Sequence, residues 1–179
     1  KDCVHLFQLN PRTKTIKMIK EPEDVVSKFT VSSGTGAIAY YGQGASNSDR
    51  MYSLNVKTQK STLIDDLSAE RLDGISIGEC KPWTYVNAQG DSICCRYYLP
   101  ADFDASKKYP MIVNYYGGCS PTERTFESRY PHNAYSALGY IVLVVNPHGA
   151  TGFGQEWSAA HVNTAGKGPA EDIIESTKA

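Results

Sequence analysis

The sequence is short of several things, and each shortage removes a class of function. No apolar run approaches the roughly 20 residues needed to span a bilayer as a helix. The 18 basic and 19 acidic side chains leave a net charge of −1, so nothing favours nucleic acid or an anionic membrane surface as partner. There are five cysteines, Cys3, Cys80, Cys94, Cys95 and Cys119. Their number is odd and no C-x-x-C occurs, so neither a disulfide framework nor a zinc site is signalled and free, buried thiols are expected. The four histidines, His5, His132, His148 and His161, show no H-x-x-x-H spacing. No metal or other cofactor is expected. The sequence starts at Lys1 in mid-pattern, with no initiator Met and no signal-like segment, and Ala179 falls inside a helical pattern. The chain is therefore expected to be a section of a longer protein.

What is present is an ordinary globular composition over 179 residues, 41% hydrophobic and 21% charged, room for one domain or parts of two. The grammar changes along the chain. Residues 1–66 read as short antiparallel strands with frequent turns. Within them L-F-Q-L-N-P-R-T-K-T-I-K-M-I and M-Y-S-L-N-V-K-T-Q-K-S-T-L-I share one plan: an apolar start, Leu-Asn, a basic turn, a second strand. Their starts lie roughly 45 residues apart, the spacing of a four-stranded propeller blade. Residues 67–82 read as a polar linker. From Trp83 onward come strands at 83–86, 92–99, 111–115 and 140–145, helices at 132–138 and 169–178, and a Gly-rich excursion over 146–167. Glu171 and Asp172 are expected in the first turn of the second helix, where the dipole favours them. That order of elements opens an α/β sheet.

The stretch of most chemical interest is Pro110 to Gly118, P-M-I-V-N-Y-Y-G-G. A buried strand is expected to end in two tyrosines facing opposite ways, followed by a Gly117-Gly118 turn that permits positive φ and close approach of a ligand. In α/β-hydrolases the loop after the third strand supplies part of the oxyanion hole. The bland alternative is a core strand with two packed tyrosines. Gly74-Ile75-Ser76-Ile77-Gly78 matches the G-x-S-x-G nucleophile elbow, but neither a buried strand before it nor a long helix after it is expected, so Ser76 is read as a chance match. The glycines of Asn146 to Gly154 run G-x-x-G-x-G, not the dinucleotide order. Gly166-Lys167 lacks the first glycine and the Ser or Thr of a phosphate loop. His148 stands on a loop at the end of a buried strand, where α/β sites form. A packed or solvated loop imidazole is the plainer reading.

Taken together, W-T-Y-V-N-A-Q-G-D-S-I, the run from Tyr97 to Gly118, A-L-G-Y-I-V-L-V-V-N-P-H-G-A-T-G-F-G and G-K-G-P-A-E-D-I resemble the prolyl oligopeptidase family, closest to its dipeptidyl-peptidase IV and acylaminoacyl-peptidase branches. The resemblance implies an α/β fold: the N-terminal part of an α/β-hydrolase sheet over 83–179, preceded by antiparallel strands like the last blade of a β-propeller over 1–66. It implies a serine peptidase acting on short peptides from the N-terminus, with Tyr116 as oxyanion-hole donor. A phenol suits this, since with a pKa of about 10 it stays protonated near neutral pH. The family's Ser, Asp and His would follow beyond Ala179, so this chain alone is expected to be inactive. Cys119 replaces the family's usual Pro. His148 stands where many members have Arg, which puts that loop's ion pair with an acidic neighbour such as Asp172 in doubt. An esterase or lipase of the same fold, or a non-catalytic binding module, are the alternatives. With later strands missing, the Met111 strand is expected to be an open edge and the chain to self-associate.

Overall fold

A computed structural model describes residues 2–164 and 166–179. Lys1, at the start of the blade-like region, and Ala165, inside the Gly-rich excursion, lie outside the described residues. The chain divides into two compact units, one of residues 3–75 with 124–128, the other of Asp2 with residues 76–123 and 129–179.

The first unit is antiparallel throughout its strand pairs. A hairpin joins β1 (Phe7–Asn10) to β2 (Thr15–Met18), and β3 (Val25–Val31), β4 (Ile38–Gln43), β5 (Arg50–Asn55) and β6 (Lys60–Asp66) form a four-stranded meander in that order. Tyr40 and Tyr52 sit opposite each other on β4 and β5 and stack with ring centroids 5.1 Å apart. They close a core with Leu6, Ile19, Val26, Ile38 and Leu54. The sequence echo has a structural counterpart. In the β1–β2 turn Asn10 Oδ1 accepts from the backbone N–H of Arg12 and Thr13, and in the β5–β6 turn Asn55 Oδ1 accepts from Lys57 and Thr58. Each turn then passes through a left-handed residue, Lys14 at φ 55° and Gln59 at φ 57°, before pairing resumes at Asn10↔Thr15 and Asn55↔Lys60. An Asn side chain that satisfies two turn amides explains why both copies keep it.

The second unit is a mixed sheet. Its strands are β7 (Cys80–Val86), β8 (Ser92–Tyr98), β9 (Met111–Asn114) and β10 (Ile141–Asn146), in the order β7-β8-β10-β9. β7–β8 and β8–β10 are antiparallel, and β10–β9 is parallel. The parallel pair needs a crossover, which carries α2 (His132–Ala137). That helix stops at Gly139, φ 90°: Tyr140 N–H donates to the Tyr135 carbonyl and Gly139 N–H to that of Ser136, a Schellman closure. β10 is buried on both faces from Val142 to Asn146, and each of its valines contributes roughly 1.5–3 kcal/mol by leaving water. The Met111 strand does lie at the edge, and Met111 is itself exposed.

Several expectations need correction. The strand expected from Trp83 begins earlier, at Cys80, and a short helix, α1 (Ala69–Leu72), lies within residues 67–82. Pro82 is tolerated in β7 because that strand is the other edge of the sheet, where a missing N–H leaves no ladder bond unmade. The excursion after β10 contains α3 (Gln155–Ala159). The last helix, α4 (Lys167–Lys178), begins two residues before Pro169, so Glu171 and Asp172 fall beyond its first turn and the dipole does not account for them. β9 ends at Asn114, so Tyr115 and Tyr116 lie past the strand, and strand alternation does not set their directions. The ladder stops because β10 pairs no further with β9 after Val144↔Asn114.

Candidate functional site

β8 sorts its side chains between two surfaces. Ile93 and Cys95 join Leu143 and Val145 in an apolar cluster with Trp83, Tyr85, Tyr97, Val113 and Ile173 of α4. Cys94, Arg96 and Tyr98 alternate with them and so take the opposite face. There Arg96, 1% exposed, donates through Nε to the Tyr98 hydroxyl at 3.2 Å, through Nη1 to Asp2 Oδ2 at 3.3 Å and the Thr122 carbonyl at 2.9 Å, and through Nη2 to the Glu123 carbonyl at 2.6 Å. His132, at the start of α2, stacks on Tyr98 with centroids 4.9 Å apart, and its Nε2 lies 3.2 Å from Asn114 Oδ1. Burial, and then the charge of Arg96, push His132 down to about 4. It is therefore neutral near pH 7, and Nε2–H is the donor to Asn114.

Tyr115 and Tyr116 follow Asn114 at the carboxyl end of β9, and both are about half exposed. The Tyr116 ring folds back over Gly118, where a Cβ would come within 2.8 Å of Cε1. Neither Gly117 nor Gly118 has positive φ. Gly118 gives the ring its close approach and does not supply a positive φ, which revises the sequence expectation. Beyond it, the Cys119 carbonyl accepts from Thr151 N–H at 2.8 Å, and Asn146 Oδ1 accepts from Thr122 N–H at 2.7 Å. The loop after β9 and the loop after β10 are thus bonded together at the carboxyl ends of two parallel strands.

His148, on the second of those loops, is flanked by two carboxylates. Its backbone N–H and Nδ1 both meet Asp172 Oδ2, at 2.8 and 2.6 Å, and its Nε2 lies 3.5 Å from Asp91 Oδ2. The imidazole stacks on Trp157 at 3.8 Å. The pairing that replacing Arg put in doubt is made by His instead, and it accounts for the burial of Asp172 on α4. A cavity of about 480 Å³ opens beside it, lined by His148, Asp91, Phe153 and Trp157.

Ser76 lies exposed in irregular chain, with no strand before it and no helix after it. Gly78 of that motif is explained by packing, since a Cβ there would meet the Leu99 carbonyl at 1.8 Å. None of the five cysteines is in a disulfide. Cys95 is buried and its thiol is pushed up to about 12, chiefly by burial. Cys119 is exposed, against expectation. No group of three or more metal-ligating side chains occurs among the described residues. No described helix is long and apolar enough to cross a membrane. Sequence reasoning missed Arg96, Asn114, His132 and Asn146. The one available signal was a charge inside the otherwise apolar and aromatic run Ile93 to Leu99.

A sequence profile of the prolyl oligopeptidase family matches residues 128–179. The dipeptidyl-peptidase 5 of Porphyromonas endodontalis is 30% identical over 155 residues, 86% of this chain and 22% of that protein. The chain belongs to the prolyl oligopeptidase family. Among solved structures, dipeptidyl peptidase 4 of Porphyromonas gingivalis superposes with a TM-score of 0.79 at 17% identity, over 98% of this chain and 25% of that one. The acylaminoacyl peptidase of Pyrococcus horikoshii gives 0.78 at 16% identity, over 91% and 25%. These likenesses establish a shared fold. The chain spans about a fifth of the length of the prolyl oligopeptidase family relative from Porphyromonas endodontalis.

Proposed function

We propose that this chain is part of a serine peptidase that removes short units from peptide N-termini, in the manner of dipeptidyl- and acylaminoacyl-peptidases, and that the Tyr116 hydroxyl is a donor to the tetrahedral oxyanion. The observation that carries the reading is the half-exposed Tyr116-Gly117-Gly118 turn at the carboxyl end of β9, beside the parallel strand β10. Ligand sites in open α/β sheets form at such ends. In α/β-hydrolases the loop after the third strand is where an oxyanion donor belongs. On this reading residues 1–66 are the end of a propeller, 67–82 the linker and 83–179 the beginning of the hydrolase domain, with the nucleophile supplied by sequence outside this chain.

In the full-length enzyme, Tyr116→Phe should lower kcat by about 10²–10³ with little change in KM, because the donor acts on the transition state. Tyr115→Phe should be mild, and the reverse result would shift the assignment by one residue. The chain by itself should not react with a fluorophosphonate probe; stoichiometric labelling of Ser76 would overturn the reading of the 74–78 segment. The β9 edge carries no charge or bulge to deter pairing, so the isolated chain should self-associate. Light scattering across a concentration series tests this, and a stable monomer at tens of micromolar would refute it.

A further inference from the structure

A guanidinium buried in a sheet face is a poor device for stability alone. Its desolvation costs several kcal/mol, and an apolar side chain of similar volume often does as well. What Arg96 does in this sheet is hold backbone. Two of its contacts are the carbonyls of consecutive residues, Thr122 and Glu123, taken by separate arms of the fork. Asn146 takes the Thr122 N–H from the strand β10 side. At the other end of the same segment, Asn114 is bonded to His132, which stacks on Tyr98, whose hydroxyl accepts from Arg96. Both ends of the stretch from Tyr115 to Pro121 are therefore tied to one buried cation. Between them the Tyr116 ring lies against Gly118, its Cε1 2.8 Å from where a Cβ would stand, so the backbone at 118 forms one wall of the place the ring occupies.

We propose that Arg96 is a positioning residue for Tyr116, acting through the Thr122 and Glu123 carbonyls to fix where the phenol hydroxyl stands. The inference rests on the oxyanion reading of Tyr116. An oxyanion donor is useful only within about 2.7–3.1 Å of the developing charge, and a displacement of about 1 Å costs on the order of a hundredfold in rate. Only Arg presents a planar fork that can take two adjacent carbonyls while paired to Asp2; Lys keeps the charge and loses the fork.

The test is a double-mutant cycle in the full-length enzyme. Arg96→Lys should lower kcat by about tenfold or more, leave KM within about twofold and speed amide exchange over 118–123 but not in β8 or β10. In a Tyr116→Phe background the same change should have no further effect on kcat. Wild-type kcat in Arg96→Lys, or unchanged exchange over 118–123, overturns the inference. Losses that multiply across the cycle overturn it while leaving Tyr116 as the donor. Unimpaired kcat in Tyr116→Phe overturns the oxyanion reading and this inference with it. If Arg96→Lys fails to fold, Asn146→Ser, which frees the Thr122 N–H from the opposite side, carries the same expectations.

Discussion

The two faces of the β7-β8-β10-β9 sheet are built on different principles from alternate residues of the same strands. On one, Ile93, Cys95, Leu143 and Val145 meet aromatic and aliphatic neighbours, and the stabilisation scales with area removed from water. On the other, Arg96, Tyr98, His132 and Asn146 are all buried and joined by directional bonds and ring stacking. The apolar face tolerates exchange among residues of similar volume. The polar face is more sensitive to the loss of a partner, because a buried group left unpaired costs the desolvation of that group. Closeness in the strand therefore says little about how two neighbours, such as Cys95 and Arg96, respond to change.

The largest separation should come from truncation on the apolar face. Ile93→Ala opens a cavity at a fully buried position and should cost about 2–5 kcal/mol. Denaturant melts should give the same loss at pH 5 and pH 7.5, and a pH-dependent loss would mean the two faces are coupled. The polar face should carry the pH dependence instead. His132 has a folded pKa of about 4 against an ordinary 6.5, so the unfolded state binds more protons between those values. Its stabilising share is complete above pH 6.5 and declines by roughly 3 kcal/mol as the pH falls to about 4. His132→Phe should remove that slope, as read from melts across pH 4–7. A smaller effect is expected from Tyr98→Phe, which removes the hydroxyl acceptor of the buried Arg96 Nε–H and should cost about 1–3 kcal/mol. Smallest of all, Cys119→Ser at the exposed position should stay within about 0.5 kcal/mol. A maleimide should react first at Cys119 and reach Cys95 only on unfolding, since Cys95 is buried and its thiol is held protonated.

The strands with clear periodicity are legible in the sequence. β10 reads from its unbroken Val and Leu run, β8 from its position between turn signals, and α2 from the glycine that ends it. The paired hairpins are legible as an echo because the turn demands the same residue types twice. β7 reads short because Pro82 argues against a strand, and only the knowledge that β7 is an edge removes the objection. The polar face is not legible, since Arg96 and His132 acquire their partners from segments far away in sequence. Arg96 draws on residues 2 and 122–123, and no local pattern encodes that. Asp172 invites a helix-dipole explanation when its partner is His148, for the same reason.

The matching turns at Asn10 and Asn55 also bear on the order in which structure forms. Each closes a hairpin between strands separated by four residues, and such hairpins form in about 1–10 μs. Neither has to wait for any distant part of the chain. β9 is in the opposite position, because Met111 finds Ile141 only after the whole α2 crossover is in place. Non-local parallel pairing of that kind is intrinsically slow. During refolding the hairpins should gain exchange protection early and the β9–β10 ladder late, so the strand that presents Tyr116 is left unpaired for longest.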